Sequence, residues 1–201
     1  MRTKVTVILL VVVLVCPIAS KAQRFTTGLS VGISTTSVKF SDISNAFTNA
    51  INGKNIIGGE IGAFARLNMD IFFIKPMILL NFHTGNVDIY NNNGSVNSSG
   101  FNYGKTLIPI LFGVKILRQL RIEAGPVYNL VYASSYSYDN VVKMGTSGFG
   151  YRIGANIEFE RINFGFTYQG LTNKSTGTGA ATFSSPNELI FSVAFCLRNR
   201  L

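Results

Sequence analysis

From Phe149 to Leu171 apolar and polar positions alternate with one change of phase. Phe149, Tyr151, Ile153, Ala155, Ile157 and Phe159 are apolar or aromatic, and Gly150, Arg152, Gly154, Asn156 and Glu158 between them are not. A two-residue period is that of a strand with one oily and one polar face. After Glu160-Arg161 the phase inverts: Ile162, Phe164, Phe166 and Tyr168 are apolar, and Asn163, Gly165, Thr167 and Gln169 are not. Opposed residues of a hairpin share a face, so pairing Phe159 with Ile162 gathers both oily sets on one side. The spacing predicts an amphipathic hairpin in which Arg152 faces Gln169 and Glu158 faces Asn163. Glu160-Arg161 lacks the Asn-Gly chemistry that two-residue loops favour, so a longer turn is the alternative register.

The same alternation predicts strands elsewhere. Phe25, Thr27, Leu29, Val31 and Ile33 share one face of 25–35, and Ile57, Gly59, Ile61, Ala63, Ala65 and Leu67 share one face of 56–67. A turn near Asn68-Met69-Asp70 leads to Phe72, Ile74, Pro76, Ile78, Leu80 and Phe82. Ile108, Ile110, Phe112, Val114 and Ile116 mark a fourth strand. After Leu117-Arg118-Gln119, a fifth carries Leu120, Ile122, Ala124, Pro126, Tyr128, Leu130 and Tyr132. Beyond the hairpin, the last strand carries Leu189, Phe191, Val193, Phe195 and Leu197. Pro76, Pro109 and Pro126 each remove a ladder donor, which predicts bulges or strand ends there.

Eight strands result, joined alternately by long segments (41–55, 86–104, 134–147, 172–186) and short ones. Every long loop then lies at one end. Transmembrane barrels show this asymmetry, and closure pairs every backbone group in a solvent that offers no hydrogen bonds. Strands of 11 residues or so also suffice to cross a hydrocarbon layer. The predicted fold class is therefore all-β, an eight-stranded antiparallel up-and-down transmembrane β-barrel.

Composition supports the oily face meeting lipid. The chain has 201 residues, 47% of them hydrophobic and only 13% charged. An eight-stranded soluble lipocalin would turn its oily face inward around a ligand. Its lumen holds only side chains or one small ligand, too little room for this many bulky residues. The opposite arrangement places Glu60, Arg66, Lys75, Lys115, Arg121, Glu123, Arg152, Glu158, Glu188 and Arg198 in the lumen as a charge network. Charges there need partners, which predicts a salt-bridged plug. A narrow pore and a lipocalin-like carrier are the alternatives. Tyr128, Tyr132, Tyr151 and Tyr168 suit an interfacial girdle.

The first 22 residues read as an export signal. Arg2 and Lys4 precede the apolar run Val5 to Val15, and Ala19-Ser20-Lys21-Ala22 offers small residues for cleavage before Gln23. That leaves 23–201 as the barrel domain, and Cys196 without a disulfide partner. The net charge is +9, but the basic residues are dispersed, which argues against nucleic acid.

Chemistry is sparse. His83 is the single histidine, so no multi-His metal site exists, and it reads as a satisfied residue of the long-loop rim. Paired with a serine such as Ser135 it would suggest a transferase or esterase, but no third orienting group is evident. No cofactor motif is present: Gly145, Gly148 and Gly150 lack the Lys-Ser/Thr of a nucleotide loop. Cys196 reads as a small inward filler. The reading is non-enzymatic.

Four stretches together carry a family likeness: Lys75-Pro76-Met77-Ile78-Leu79-Leu80, Leu107-Ile108-Pro109-Ile110-Leu111 with Lys115, Ala124-Gly125-Pro126, and Gly170-Leu171-Thr172-Asn173. In their order the chain resembles the PorT-like outer-membrane β-barrel family of Bacteroidetes-type bacteria across 23–201. The resemblance implies a bacterial outer-membrane location and an eight-stranded barrel, in contact with outer-membrane lipid and delivered by the barrel-insertion machinery, and it alone suggests a secretion or transport accessory role. The predicted barrel leaves the four long loops open to protein or surface partners. Such barrels often end on an aromatic residue. This chain ends Arg198-Asn199-Arg200-Leu201, so Phe195 or Leu197 is expected to serve instead.

Overall fold

A computed structural model describes residues 24–41, 51–53, 56–90, 96–136, 147–171 and 182–199. The predicted export signal lies outside them. The described residues form strands β1 (Arg24–Ser41), β2 (Ile51–Gly53), β3 (Ile56–Met69), β4 (Phe72–Tyr90), β5 (Val96–Lys115), β6 (Leu120–Tyr136), β7 (Ser147–Phe159), β8 (Ile162–Leu171) and β9 (Thr182–Asn199). Short β2 pairs with β1 and β4, continuing the position that β3 holds between the same two strands. The wall thus has eight staves in sequence order, all neighbours antiparallel. It closes where β1 pairs with β9 from Thr26↔Asn199 to Ser41↔Thr182. Closure removes both sheet edges.

Hydrophobic phase sets which way each stave faces. The hairpin of β7 and β8 takes the two-residue turn: Phe159 pairs with Ile162, Glu158 with Asn163 and Arg152 with Gln169. Glu160 accepts a left-handed φ of 49° to make that turn, and Asp70 does the same at 53° between paired Met69 and Phe72. Such conformations normally favour Gly or Asn, so the strands' facing, rather than turn chemistry, fixes these registers. The wall's outside is apolar: Leu29, Ile61, Ile78, Ile110, Phe112, Ile153, Phe166 and Phe191 are all exposed. Tyr128 stacks near Phe149 (centroids 5.1 Å) and Tyr151 near Tyr168 (6.1 Å) toward the long-loop end. The Tyr132 side chain lies outside the described residues.

Three expectations change. No bulge occurs at the prolines: register is the same on both sides of Pro76, Pro109 and Pro126, and only adjacent ladder pairs are missing. Losing one donor costs a single bond, and unbroken facing on either side outweighs it. Register shifts fall instead at Thr27/Gly28, Ser37/Lys39 and Gly104/Lys105. The long segments are also shorter than predicted. Most of 86–104 is paired strand, from Val87↔Ser99 through Phe82↔Gly104. Likewise β2 lies inside 41–55, β6 runs to Tyr136, and β9 begins at Thr182.

The lumen is not filled by charge and glycine alone. Phe64, Met77, Leu79, Leu107, Leu111, Val127 and Cys196 form a buried apolar cluster. All but Cys196 come from β3 to β6. Facing them from β7 to β9 and β1 are Asn156, Asn163, Thr167, Gln169, Ser192, Ser30 and Ser34, all buried. The apolar cluster is interleaved with buried polar and charged side chains of the same staves, among them Glu60, Lys75, Asn81, Lys105 and Glu123.

Candidate functional site

The inward polar positions bring the predicted charges together as braces across the lumen. Arg66 on β3 donates Nη1 and Nη2 to the two carboxylate oxygens of Glu158 on β7, both at 3.0 Å. Arg152 on β7 returns the link to Glu60 on β3 with Nη2–Oε1 at 2.7 Å. Lys105 on β5 donates to Glu188 on β9. In the eight-stave wall, β3 lies opposite β7 and β5 lies opposite β9. These three pairs therefore span the full lumen. A fourth, Lys75 Nζ to both Glu123 oxygens at 2.7 Å, joins β4 to β6. Two cations also face rings, Lys75 Nζ at 5.7 Å from the Phe64 centroid and the Arg66 guanidinium at 6.0 Å from Phe73.

The braces form levels along the barrel axis. Nearest the short turns, Arg66 and Arg121 both reach Glu158. Lys75–Glu123 and Arg152–Glu60 hold the middle. Toward the long-loop end, Glu188 takes Lys105 at one oxygen and Gln169 Nε2 at the other, the latter at 3.3 Å. His83 joins this level, with Nε2 at 3.2 Å from Ser34 Oγ and 3.7 Å from Glu188 Oε1. Gly58 makes the room: a Cβ there would sit 2.4 Å from His83 Cδ2 and 2.6 Å from Ser34 Oγ.

Of the ten predicted network residues, Glu60, Arg66, Lys75, Arg121, Glu123, Arg152, Glu158 and Glu188 meet inside the barrel. Lys115 does not. Its place at the end of β5 carries it to the short-turn rim, where Nζ donates to the Asp70 carbonyl at 2.7 Å. The Arg198 side chain lies outside the described residues. Two members were missed. Lys105 was not among the predicted network residues, and His83 was read as a rim residue, yet both are buried in the lumen. Each shares the inward phase of its strand, His83 with Met77, Leu79 and Asn81, and Lys105 with Leu107 and Leu111. That phase was the available signal.

What this arrangement can do chemically is narrow. His83 meets Ser34 and Glu188 through the same nitrogen, whereas a nucleophile–base–orienter relay uses the two ring nitrogens separately. The side chain of Ser135 lies outside the described residues. Among the described residues no cluster of three His, Cys, Asp or Glu is placed to hold a metal. The mid-lumen void between Ser30, Lys75, Glu123, Arg152, Asn156 and Ser192 has about 10 Å³, room for about one water molecule.

No family model and no curated protein matches the chain. Among solved structures, the outer membrane protein OprG from Pseudomonas aeruginosa superposes with a TM-score of 0.52 at 9% identity, covering 89% of this chain and 97% of that one. The likeness is one of fold. Neisserial surface protein A gives a TM-score of 0.47 at 12% identity, covering 85% and 96%. Ail, the attachment invasion locus protein of Yersinia pestis, gives 0.46 at 10% identity, covering 86% and 98%.

Proposed function

We propose that this protein is an integral β-barrel of the bacterial outer membrane, closed by its own ion pairs and acting non-catalytically through its long-loop end. The observation that carries the reading is the inverted polarity of the wall. Phe166 and Ile33 stand 59% and 66% exposed on the outside, while Glu188 and Lys105 are 0% and 1% exposed within. In water such a wall would present a continuous apolar surface far beyond what soluble monomers tolerate. In lipid the same wall is favourable, and the closed sheet leaves no backbone group unpaired at an edge.

The outer membrane is the membrane that barrels of this kind occupy. The export signal read in 1–22 supports delivery to it, with cleavage near Ala22. The PorT-like likeness of the four quoted stretches supports the same location and adds insertion machinery as an assembly partner. A lumen braced at three levels supports a closed barrel over a conducting one. Partner contact falls to the segments joining the staves at the long-loop end. Membrane fractionation with heat-modifiable gel mobility tests the reading. The folded chain should partition with membranes and migrate faster unboiled than boiled. A detergent-free soluble monomer would defeat it.

A further inference from the structure

The braces do not balance in charge. Arg152 meets Glu60, Lys75 meets Glu123, and Lys105 meets Glu188, one cation to one carboxylate each. At the short-turn end two guanidiniums, Arg66 and Arg121, share the single carboxylate of Glu158. Arg66 occupies both Glu158 oxygens through its terminal nitrogens. Among the described residues, neither Arg66 Nε nor Arg121 Nε has a hydrogen-bond acceptor. A buried cation without a full counter-charge is costly, and an orphaned charged donor adds its own desolvation.

We propose that Arg66 and Arg121 form a binding site for one small inorganic anion at the short-turn mouth of the lumen. Two guanidiniums with inward donors left over match the charge and the hydrogen-bonding needs of a halide or an oxyanion. The level is reachable from outside: the Arg121 and Glu158 side chains each keep 10% of their exposure, whereas the Lys105–Glu188 pair keeps 2% and 0%. Arg118 and Arg161 stand exposed on the same rim, with Asp70 and Glu160 as the opposing charges. Among the described residues, Glu123, already paired with Lys75, and the buried Cys196 also lie within electrostatic reach of both guanidiniums.

The test is calorimetric titration of the refolded full chain, in a neutral detergent at low ionic strength, with chloride and with inorganic phosphate in separate runs. Heat-modifiable mobility first shows that each variant is a folded barrel. One saturable site per chain is expected for at least one anion, with Arg121→Gln weakening it about tenfold or more. Glu158→Gln removes the competing carboxylate and should tighten binding about threefold or more, a direction that a purely structural role does not produce. Cys196→Ser should leave the affinity unchanged. If Arg121→Gln does not fold, the wild type and Glu158→Gln decide alone. Absence of saturable binding to the wild type, or affinity unmoved or weakened by Glu158→Gln, overturns the proposal. Binding that appears only in Cys196→Ser also overturns it.

Discussion

Lys105 and Glu188 show how much a single side chain carries here. Both are enclosed, and each is the other's principal counter-charge. Truncating one partner of a buried pair leaves an uncompensated charge, a loss of about 3–5 kcal/mol. Lys105→Ala should therefore lower unfolding stability in urea by about that much, while the apolar pair Lys105→Met with Glu188→Leu should recover most of it. Equal losses in the single and double variants would contradict the brace. Two glycines of β3 give a finer contrast. A Cβ at Gly62 would lie 2.0 Å from the Ile78 carbonyl oxygen, whereas at Gly59 the nearest atom is 3.7 Å away. Gly62→Ala should destabilise by about 1–3 kcal/mol, and Gly59→Ala should gain about 0.5 kcal/mol, in the same urea titration. At this scale the sequence was legible wherever phase was followed to the end of a strand. Eight of the network residues were placed that way, and Lys105 and His83 were lost because the alternation was stopped short. Lys115 has the right phase and the wrong height: a side chain at a strand's last residue bends to the rim. Partner choice, Glu60 with Arg152 rather than Arg66, follows from stave order around a closed wall and has no signature in one dimension.

The staves themselves were legible through their outward faces. The apolar set of each long stave lies on the outside as its period demands, because one register slip would reverse every side chain. Phe166, between Ala155 and Phe191 on its neighbours, tests which solvent that face meets. Phe166→Arg should cost about 2–4 kcal/mol in lipid vesicles, as for charge near the bilayer midplane. A soluble barrel would tolerate an exposed arginine, so a change within about 0.5 kcal/mol would argue against the lipid-facing wall. Two features of the elements were not legible. The pairing of Val87 to Tyr90 with Val96 to Ser99 runs through Asp, Asn and Ser, where neither face is consistently oily and alternation carries no signal. The apolar cluster of the lumen was hidden for the opposite reason. In Met77-Ile78-Leu79-Leu80 and Ile108-Pro109-Ile110-Leu111 both faces are apolar, and such a run does not report which side is in.

For the whole molecule, closure and the alternation of short and long connections were the parts most clearly written in the chain. The inward charges were predicted to pair, and eight of the ten do. Links between opposite walls, β3 to β7 and β5 to β9, cross the lumen, and the Phe64–Leu111 cluster packs on the same staves. Between Ser30, Lys75, Glu123 and Arg152 the lumen has room for about one water. That makes single-channel conductance the most direct measurement of the central claim. Vesicles containing the folded protein, verified by heat-modifiable mobility, are fused to a planar bilayer and the current recorded under applied voltage. The braced barrel predicts a flat baseline after fusion. Steady, ion-sized current steps that scale with the amount of inserted protein would contradict it.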